Sequence, residues 1–576
     1  MRSILLRSCL ALALACAVAA CTEEIPVEPD DAQVSSILPS GDVPSSFERA
    51  VVAHGPASVI VEARGVGTLR LTAALEGGAP ADLGVMQLAD RFERMQLALP
   101  GDGDRAVLVG VEGPDTVQWR TLALSEPAQD AAADSPLVGS CKGRNVVIFL
   151  ADSLAARHTT VHGYERPTTP GLERLAADGV RFEAAHSQTS WTMPSVTSLF
   201  TSQTQERHGM LRMNQQLPDG IGTLAQSFHD AGYKTIGLIQ NGIIWKHTRL
   251  DRGFDEYDVR REGNKVSEEI MQKARELMNV DRGRPLFLYV HLTPPHQPYL
   301  PPKSYSNDFV DPNYDGEVTG SIMDCAKVNH FKPPIDSPDV QHLKALYDGH
   351  IRYVDDMIAK TMDEVWKESP REDWVVVVTS DHGEAFLQHG DQGHNTQIYE
   401  EMVHIPLVIA APGSPLPAGS EVPAPVSLLD VGPTLRELTG VPSHAQVEDG
   451  RSLVPLIADP ARGMRRPFFF SSRYPKELDG QPTWVALRLG DYKLLSSETG
   501  YELYDLATDP FEAHDLKDEQ PLRTRAMAEL LEAWRRSGVR TDAASGALPE
   551  DAQDQLRKLG YVDSDGNEVE APKSQR

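Results

Sequence analysis

Asp381 and His382 stand side by side directly after the run Trp374-Val375-Val376-Val377-Val378-Thr379-Ser380. Four consecutive β-branched valines read as a strand buried on both faces, the kind a parallel sheet uses. A carboxylate and an imidazole at the end of such a strand lie at the carboxyl edge of the sheet, where open α/β folds carry out chemistry. Asn145-Val146-Val147-Ile148-Phe149-Leu150-Ala151-Asp152 ends the same way, an apolar strand running into an acid. Two strand-end acids and one imidazole are most of a site for a divalent cation. A third piece is Ser190-Trp191-Thr192-Met193-Pro194-Ser195. Pro194 belongs near the first turn of a helix continuing through Ser195-Val196-Thr197-Ser198-Leu199-Phe200, which puts Thr192 just ahead of that helix. Backbone N–H groups there favour an anion, either a threonine alkoxide or a substrate oxyanion. Taken alone, Thr192 is more simply an N-cap.

These residues need a sheet to hold them, and the segment 144–440 reads as one. Strands over Asn145–Asp152, Lys234–Gln240, Leu286–His291, Trp374–Ser380 and Ile405–Ala410 alternate with helices, among them one from Thr169-Pro170 to Asp178. Alternating β and α implies an α/β fold with a mostly parallel sheet and helices on both faces. Leu343, Tyr347, Ile351, Val354, Ile358, Met362 and Val365 recur at helical spacing and read as core. In 441–540, Thr483–Leu489 with Tyr492–Leu495 reads as a hairpin and Pro521–Ser537 as a helix, a small C-terminal α+β subdomain. Residues 541–576 are a polar tail. Ahead of the sheet, 46–126 shows short alternating strands such as Val59-Ile60-Val61 and Val107 to Val111, read as an N-terminal β-sandwich serving as an accessory spacer. A linker rich in Ala, Asp, Ser and Pro, 127–143, follows it.

The first twenty residues carry Arg2 and Arg7, then an apolar run from Leu10 to Ala20, the pattern of an export signal too short to span a membrane. Val18-Ala19-Ala20-Cys21 resembles the bacterial lipobox, which makes Cys21 the lipidated residue and 21–45 a tether; plain secretion after Ala20 is the alternative. With Thr22 following, the resemblance implies an anchored lipoprotein of the outer membrane, facing the periplasm or the cell surface. Cys141 and Cys325 remain beyond the signal and Cys21, as a disulfide or as two buried thiols. The formal net charge of −28 argues against a nucleic-acid partner.

Over roughly 144–530 the chain resembles the sulfatase family of the alkaline-phosphatase superfamily. The resemblance rests on Asn145–Asp152, Gly163-Tyr164-Glu165-Arg166-Pro167-Thr168-Thr169-Pro170, Trp191–Ser195, Pro295-His296-Gln297-Pro298-Tyr299 and Ser380-Asp381-His382-Gly383-Glu384. It continues through Tyr399-Glu400-Glu401, Leu429 to Leu435, Gly450-Arg451-Ser452-Leu453, Glu502 to Leu506 and Leu559-Gly560-Tyr561-Val562. It implies a nucleophile at Thr192 that also binds a metal held by Asp152, Asp381 and His382. It also implies substrate contact or leaving-group protonation by His296 and His394, and an ester-oxygen contact by Asn241.

Three departures redirect the chemistry. Family members carry a Cys or Ser converted to formylglycine where this chain has Thr192, which cannot form that aldehyde. The Arg that follows Pro-Ser is Val196, and the Asp pair of the first strand is Asp152-Ser153. Two carboxylates, one imidazole and a hydroxyl suit Zn²⁺ or Mn²⁺ better than Ca²⁺. Relatives with two zincs and a Thr nucleophile have an Asp where Leu292 stands, so a single divalent metal is expected. A Thr nucleophile also resembles phosphate-ester enzymes such as lipoteichoic acid synthase. The expected activity is metal-dependent hydrolysis of an anionic ester, of a small molecule, glycan or lipid headgroup. The family points to a sulfate ester, and Thr192 to a phosphodiester or phosphonate. A phosphoglycerol-type transferase, or an inactive lipoprotein that binds a glycan or lipid, is the competing expectation.

Overall fold

The computed structural model describes residues 32–36, 45–53, 57–100, 104–127, 135–260, 263–280, 282–462, 466–472, 484–537 and 543–545. The expected export signal, Cys21 and most of the tail lie outside them. The chain divides into two compact units, 1–130 and 131–576.

The first unit is two four-stranded antiparallel sheets. One has the order β1 (Ala32–Ser36), β8 (Gln118–Pro127), β3 (Ser58–Arg64), β6 (Glu93–Ala98). The other runs β2 (Ser46–Ala53), β7 (Arg105–Glu112), β4 (Gly67–Leu75), β5 (Ala81–Leu88). Val59, Val61 and Leu122 of the first share a core with Val51, Leu71 and Val109 of the second. β1 lies within the segment read as tether. Its one large apolar residue, Val34, is too little for a period-two signal, and pairing with β8 supplies its order.

The second unit is built on an eight-stranded sheet. Its strands are β9 (Asn145–Ala151), β10 (Gly179–His186), β11 (Lys234–Ile239), β12 (Glu256–Val259), β13 (Leu286–Leu292), β14 (Trp374–Thr379), β17 (His404–Ala410) and β18 (Ser420–Ser427). The order is β12-β11-β13-β9-β14-β17-β10-β18, and β17 alone runs antiparallel to its neighbours. Alternate side chains of the central strands enter separate cores. Val146, Ile148, Val375 and Val377 pack on one face with the Thr192–Thr201 and Val431–Thr439 helices. Val147, Phe149, Val376 and Val378 pack on the other with the Asn264–Met278 and Pro338–Glu368 helices. Burial on both faces is why these strands read as continuous apolar runs. β10, β12 and β18 escape such a reading. β18 carries Pro423 and Pro425, tolerable because it is an edge strand, and β12 is a short edge at the other end.

The chain leaves β14 at the carboxyl edge, forms the small pair β15 (Ala385–Phe386) and β16 (Gln392–Gly393), and enters β17 from that same edge. Reversal of β17 therefore keeps the whole excursion 380–403 on the side where Asp152 emerges. The last part of the unit is an antiparallel sheet, β19 (Phe468–Ser472), β20 (Trp484–Leu489), β21 (Tyr492–Ser497) and β22 (Gly500–Asp505), with the Pro521–Ser537 helix. Buried Lys493 of β21 lies 2.8 Å from Glu400 and 2.9 Å from Glu512, binding this sheet to the excursion. Both ends of the unit extend into segments read as irregular. Gly139 and Cys141 N–H groups bond to Glu437 and Leu438 carbonyls, and Gln216 N–H bonds to Ala544 O at 2.9 Å. Cys141 and Cys325 are free thiols, both buried. No helix among the described residues is long and apolar enough to cross a membrane.

Candidate active site

Asp152 follows β9, and Asp381 and His382 follow β14, its parallel neighbour. One ligand atom from each of the three lies within 4.8 Å of the other two, and all three side chains are fully buried. Thr192 Oγ1 is 3.4 Å from His382 Nε2. Thr192 is the first residue of its helix and the extended Trp191 is the N-cap, one residue earlier than the sequence implies. Ser195 Oγ donates to Asp381 O at 2.6 Å, so the helix carrying Thr192 is fastened to the strand end carrying Asp381.

The donors around each carboxylate decide which oxygen is left over. Asp152 Oδ2 accepts from Asn241 Nδ2 at 2.7 Å and from His291 Nε2 at 3.2 Å. Among the described residues its Oδ1 takes only the Ser153 hydroxyl, at 3.3 Å, and it lies 3.6 Å from His382 Nε2. Asp381 Oδ1 accepts the N–H groups of Ser153 and His382, at 3.1 and 3.0 Å. Asp381 Oδ2 is buried with no hydrogen bond among the described residues. His382 Nδ1 donates to Gly383 O at 2.9 Å, which leaves Nε2 with its lone pair. Four donor atoms therefore remain at one place: Asp152 Oδ1, Asp381 Oδ2, His382 Nε2 and Thr192 Oγ1. A buried, unpartnered carboxylate oxygen is costly without a cation, so the residues present fit a divalent metal.

Burial works to raise the Asp152 carboxyl, but the imidazoles of His296, His291 and His382 outweigh it and hold it below the usual carboxylate range. Burial lowers the His394 imidazole to about 3, helped by nearby His382, and raises the Glu384 carboxyl to about 7. His394 Nδ1 donates to Glu384 Oε1 at 2.9 Å, and its ring centre is 4.5 Å from that of His382 and 4.7 Å from that of His296. His296 Nδ1 meets Gln297 O at 2.5 Å. The structure thus brings Thr192, Asp152, Asp381, His382, His296 and His394 to one edge of the sheet. Asn241 is there too, but its amide nitrogen is spent on Asp152 and its carbonyl accepts Ile243 N–H at 2.8 Å.

A family model described as N-sulphoglucosamine sulphohydrolase, C-terminal, matches residues 392–536, from β16 into the Pro521–Ser537 helix. The model described as Sulfatase matches residues 144–441, just over half of the chain. The chain belongs to the sulfatase family. An uncharacterized sulfatase, YidJ, of Escherichia coli (strain K12) is 25% identical over 433 residues, 66% of this chain and 84% of that protein. Among solved structures, BT4656 in complex with D-glucosamine-2-N,6-O-disulfate superposes with a TM-score of 0.56 at 19% identity, covering 69% of this chain and 98% of that one. The phosphonate monoester hydrolase of Agrobacterium radiobacter gives 0.55 at 20%, covering 69% and 96%. Sulfatases depend on a metal, and among the described residues Asp152, Asp381 and His382 form a cluster that offers ligands for one.

The sequence reading gives three contributors no role at the site. His291 supports Asp152 and itself meets Tyr289 Oη through Nδ1, at 2.9 Å. Tyr289 and His291, two apart in an otherwise apolar strand, are the polar pair that could have flagged it. Glu384 orients His394. Tyr347, read as core, is core, and its hydroxyl also donates to Ser153 O at 2.6 Å while accepting Ala155 N–H at 3.0 Å. That holds the turn after Asp152, where Ser153 has φ of 62°.

Proposed function

We propose that this protein is a metal-dependent hydrolase of an anionic ester that uses Thr192 as its nucleophile, with a phosphodiester or phosphonate monoester ahead of a sulfate ester. The observation that carries the reading is the set of four leftover donor atoms with the threonine hydroxyl among them. One divalent ion would be held by Asp152, Asp381, His382 and Thr192, with Zn²⁺ or Mn²⁺ favoured because each carboxylate has one oxygen already taken by N–H donors. Bound there, it would lower the pKa of the hydroxyl and offset charge on the ester oxygens.

The chain's own residues do the rest. Thr192 Oγ1 bonds to phosphorus as the bond to the alcohol breaks, and the proton that the threonine hydroxyl gives up ends on the alcohol oxygen. Water then cleaves the threonine ester, regenerating the hydroxyl and releasing the acid. Neutral His394, whose Nδ1–H is given to Glu384, turns Nε2 to the reacting groups as a proton carrier. A threonine phosphoester has this ordinary hydrolytic exit. A threonine sulfate lacks the elimination that formylglycine provides, and that sets the order of preference.

A panel of p-nitrophenyl phosphodiester, phosphonate, phosphate and sulfate esters, with Zn²⁺, Mn²⁺ or Ca²⁺ after chelator treatment, tests the reading. Thr192→Ala should lower turnover by roughly three orders of magnitude or more while the melting temperature stays close to that of the parent. Unchanged rates would remove Thr192 from the mechanism. Turnover of the sulfate ester alone would reverse the substrate order. For location, we read residues 1–20 as an export leader and Cys21 as the lipidated residue of an outer-membrane protein. Cys21→Ser should release the protein from the membrane fraction.

A further inference from the structure

Two turns carry the ligand cluster of the candidate site. Asp152-Ser153-Leu154 follows β9 and Ser380-Asp381-His382 follows β14, and the pairing of these strands ends at Leu150 and Thr379. Past that pair, two hydrogen bonds cross from one turn to the other among the described residues. Ser153 N–H is given to Asp381 Oδ1 at 3.1 Å, and Leu154 N–H to the Ser380 hydroxyl at 2.8 Å. The first ends on a ligand side chain. The second ends on a residue outside the set of donor atoms.

Ser380 is fully buried. Its one hydroxyl proton goes to His382 O at 2.7 Å, with Asp381 Oδ1 farther off at 3.5 Å. The oxygen therefore accepts from the Asp152 turn and donates within the Asp381 turn. A hydroxyl used in both senses has its single donor and an acceptor site committed, which fixes its rotation. One bond restrains the backbone two residues after Asp152, and the other restrains the carbonyl of His382 itself. Tyr347 Oη repeats the pattern on the Asp152 turn, donating to Ser153 O at 2.6 Å and accepting Ala155 N–H at 3.0 Å. Three consecutive N–H groups, those of Ser153, Leu154 and Ala155, thus end on Asp381, Ser380 and Tyr347 in turn. Carboxylates as close as those of Asp152 and Asp381 repel when no cation lies between them, so the tie between the turns must hold without one.

We propose that Ser380 is a positioning residue that sets the spacing between Asp152 and the Asp381–His382 pair, without being a ligand or touching the substrate. Donor atoms held at that spacing need no ordering when a cation arrives. This role rests on the one-metal reading of the site.

Zn²⁺ titrated by calorimetry into the metal-free full chain tests it, with the melting temperature of each variant taken in the absence of metal. Ser380→Ala removes only the hydroxyl and leaves Leu154 N–H and His382 O without it. Loss of two buried hydrogen bonds weakens any core, so a matched control separates stability from positioning. Thr434, also fully buried, accepts Leu453 N–H at 2.8 Å and donates to Asp430 O at 2.6 Å, the same arrangement among residues outside the site. Both Ser380→Ala and Thr434→Val should lower the melting temperature. Ser380→Ala should also weaken Zn²⁺ binding by about tenfold or more, while Thr434→Val leaves it within about twofold of the parent. Ser380→Cys, which keeps a weak donor and acceptor, should fall between parent and Ser380→Ala, and it carries the test if the alanine variant does not fold. Zn²⁺ affinity in the Ser380 variants equal to that of Thr434→Val would overturn the proposal. A parent protein that binds none of Zn²⁺, Mn²⁺ and Ca²⁺ would overturn the one-metal reading, and the role of Ser380 with it.

Discussion

Asn241 offers the sharpest separation between two ways of building the site. If it binds an ester oxygen, Asn241→Ala should raise KM and leave metal affinity alone. The structure argues for the opposite split. Asn241 Nδ2 is 2.7 Å from Asp152 Oδ2, the shorter of the two bonds that hold that oxygen and leave Oδ1 beside His382. A hydrogen bond to a charged group contributes about 1.5–3 kcal/mol. Removing it from a fully buried carboxylate should weaken metal binding by about ten- to a hundredfold, the range seen for outer-shell partners of ligands. The assay is calorimetric titration of the metal-free protein with Zn²⁺, paired with kcat and KM at saturating metal. The expected result is a large rise in the metal Kd, with KM changed less than twofold once the metal is replenished. An unchanged Zn²⁺ affinity beside a raised KM would refute this account of Asp152 and return Asn241 to the substrate.

Ser153→Asp would add an anionic oxygen beside Asp152 Oδ1 and should shift metal preference toward Ca²⁺, read as the ratio of Ca²⁺ to Zn²⁺ affinity. Lys493 is wholly buried between Glu400 and Glu512, so Lys493→Met should destabilise by about 3–5 kcal/mol, measured by urea denaturation. Asp355, raised by burial from 3.8 to about 7, keeps its proton in the folded state over a range where the unfolded chain releases it. Stability should therefore fall as pH rises from 4 to 7, by up to about 4 kcal/mol from this group. Asp355→Asn should flatten that slope. It should also cost about 1–3 kcal/mol near pH 4, because one of the two N–H groups given to it, those of Gly171 and Leu172, loses its acceptor. A slope unchanged in the variant would assign the pH dependence elsewhere.

The readable part of the site was the part written in chain order. Asp152 and Asp381 each end a valine-rich strand, and a strand buried on both faces announces itself by continuous apolar residues, so the edge they share could be inferred. His291 was hidden because its role depends on strand pairing. β13 lies beside β9 with His291 opposite Leu150, and that neighbour relation across the sheet is not a property of either segment. Glu384 was hidden for a similar reason, since it meets His394 only because β15 and β16 fold the chain back. In the fold, prolines in β18 and the brevity of β12 masked strands whose edge positions make both features tolerable.

Because β14 and β17 run in opposite directions, the stretch joining them departs from and returns to one rim of the sheet. Residues outside the β15–β16 pair can be added to or removed from that stretch without changing how the strands of the eight-stranded sheet pair. That stretch also holds Asp381, His382, Glu384 and His394, so the segments between these four can change in length while the strand ends beside them keep their register.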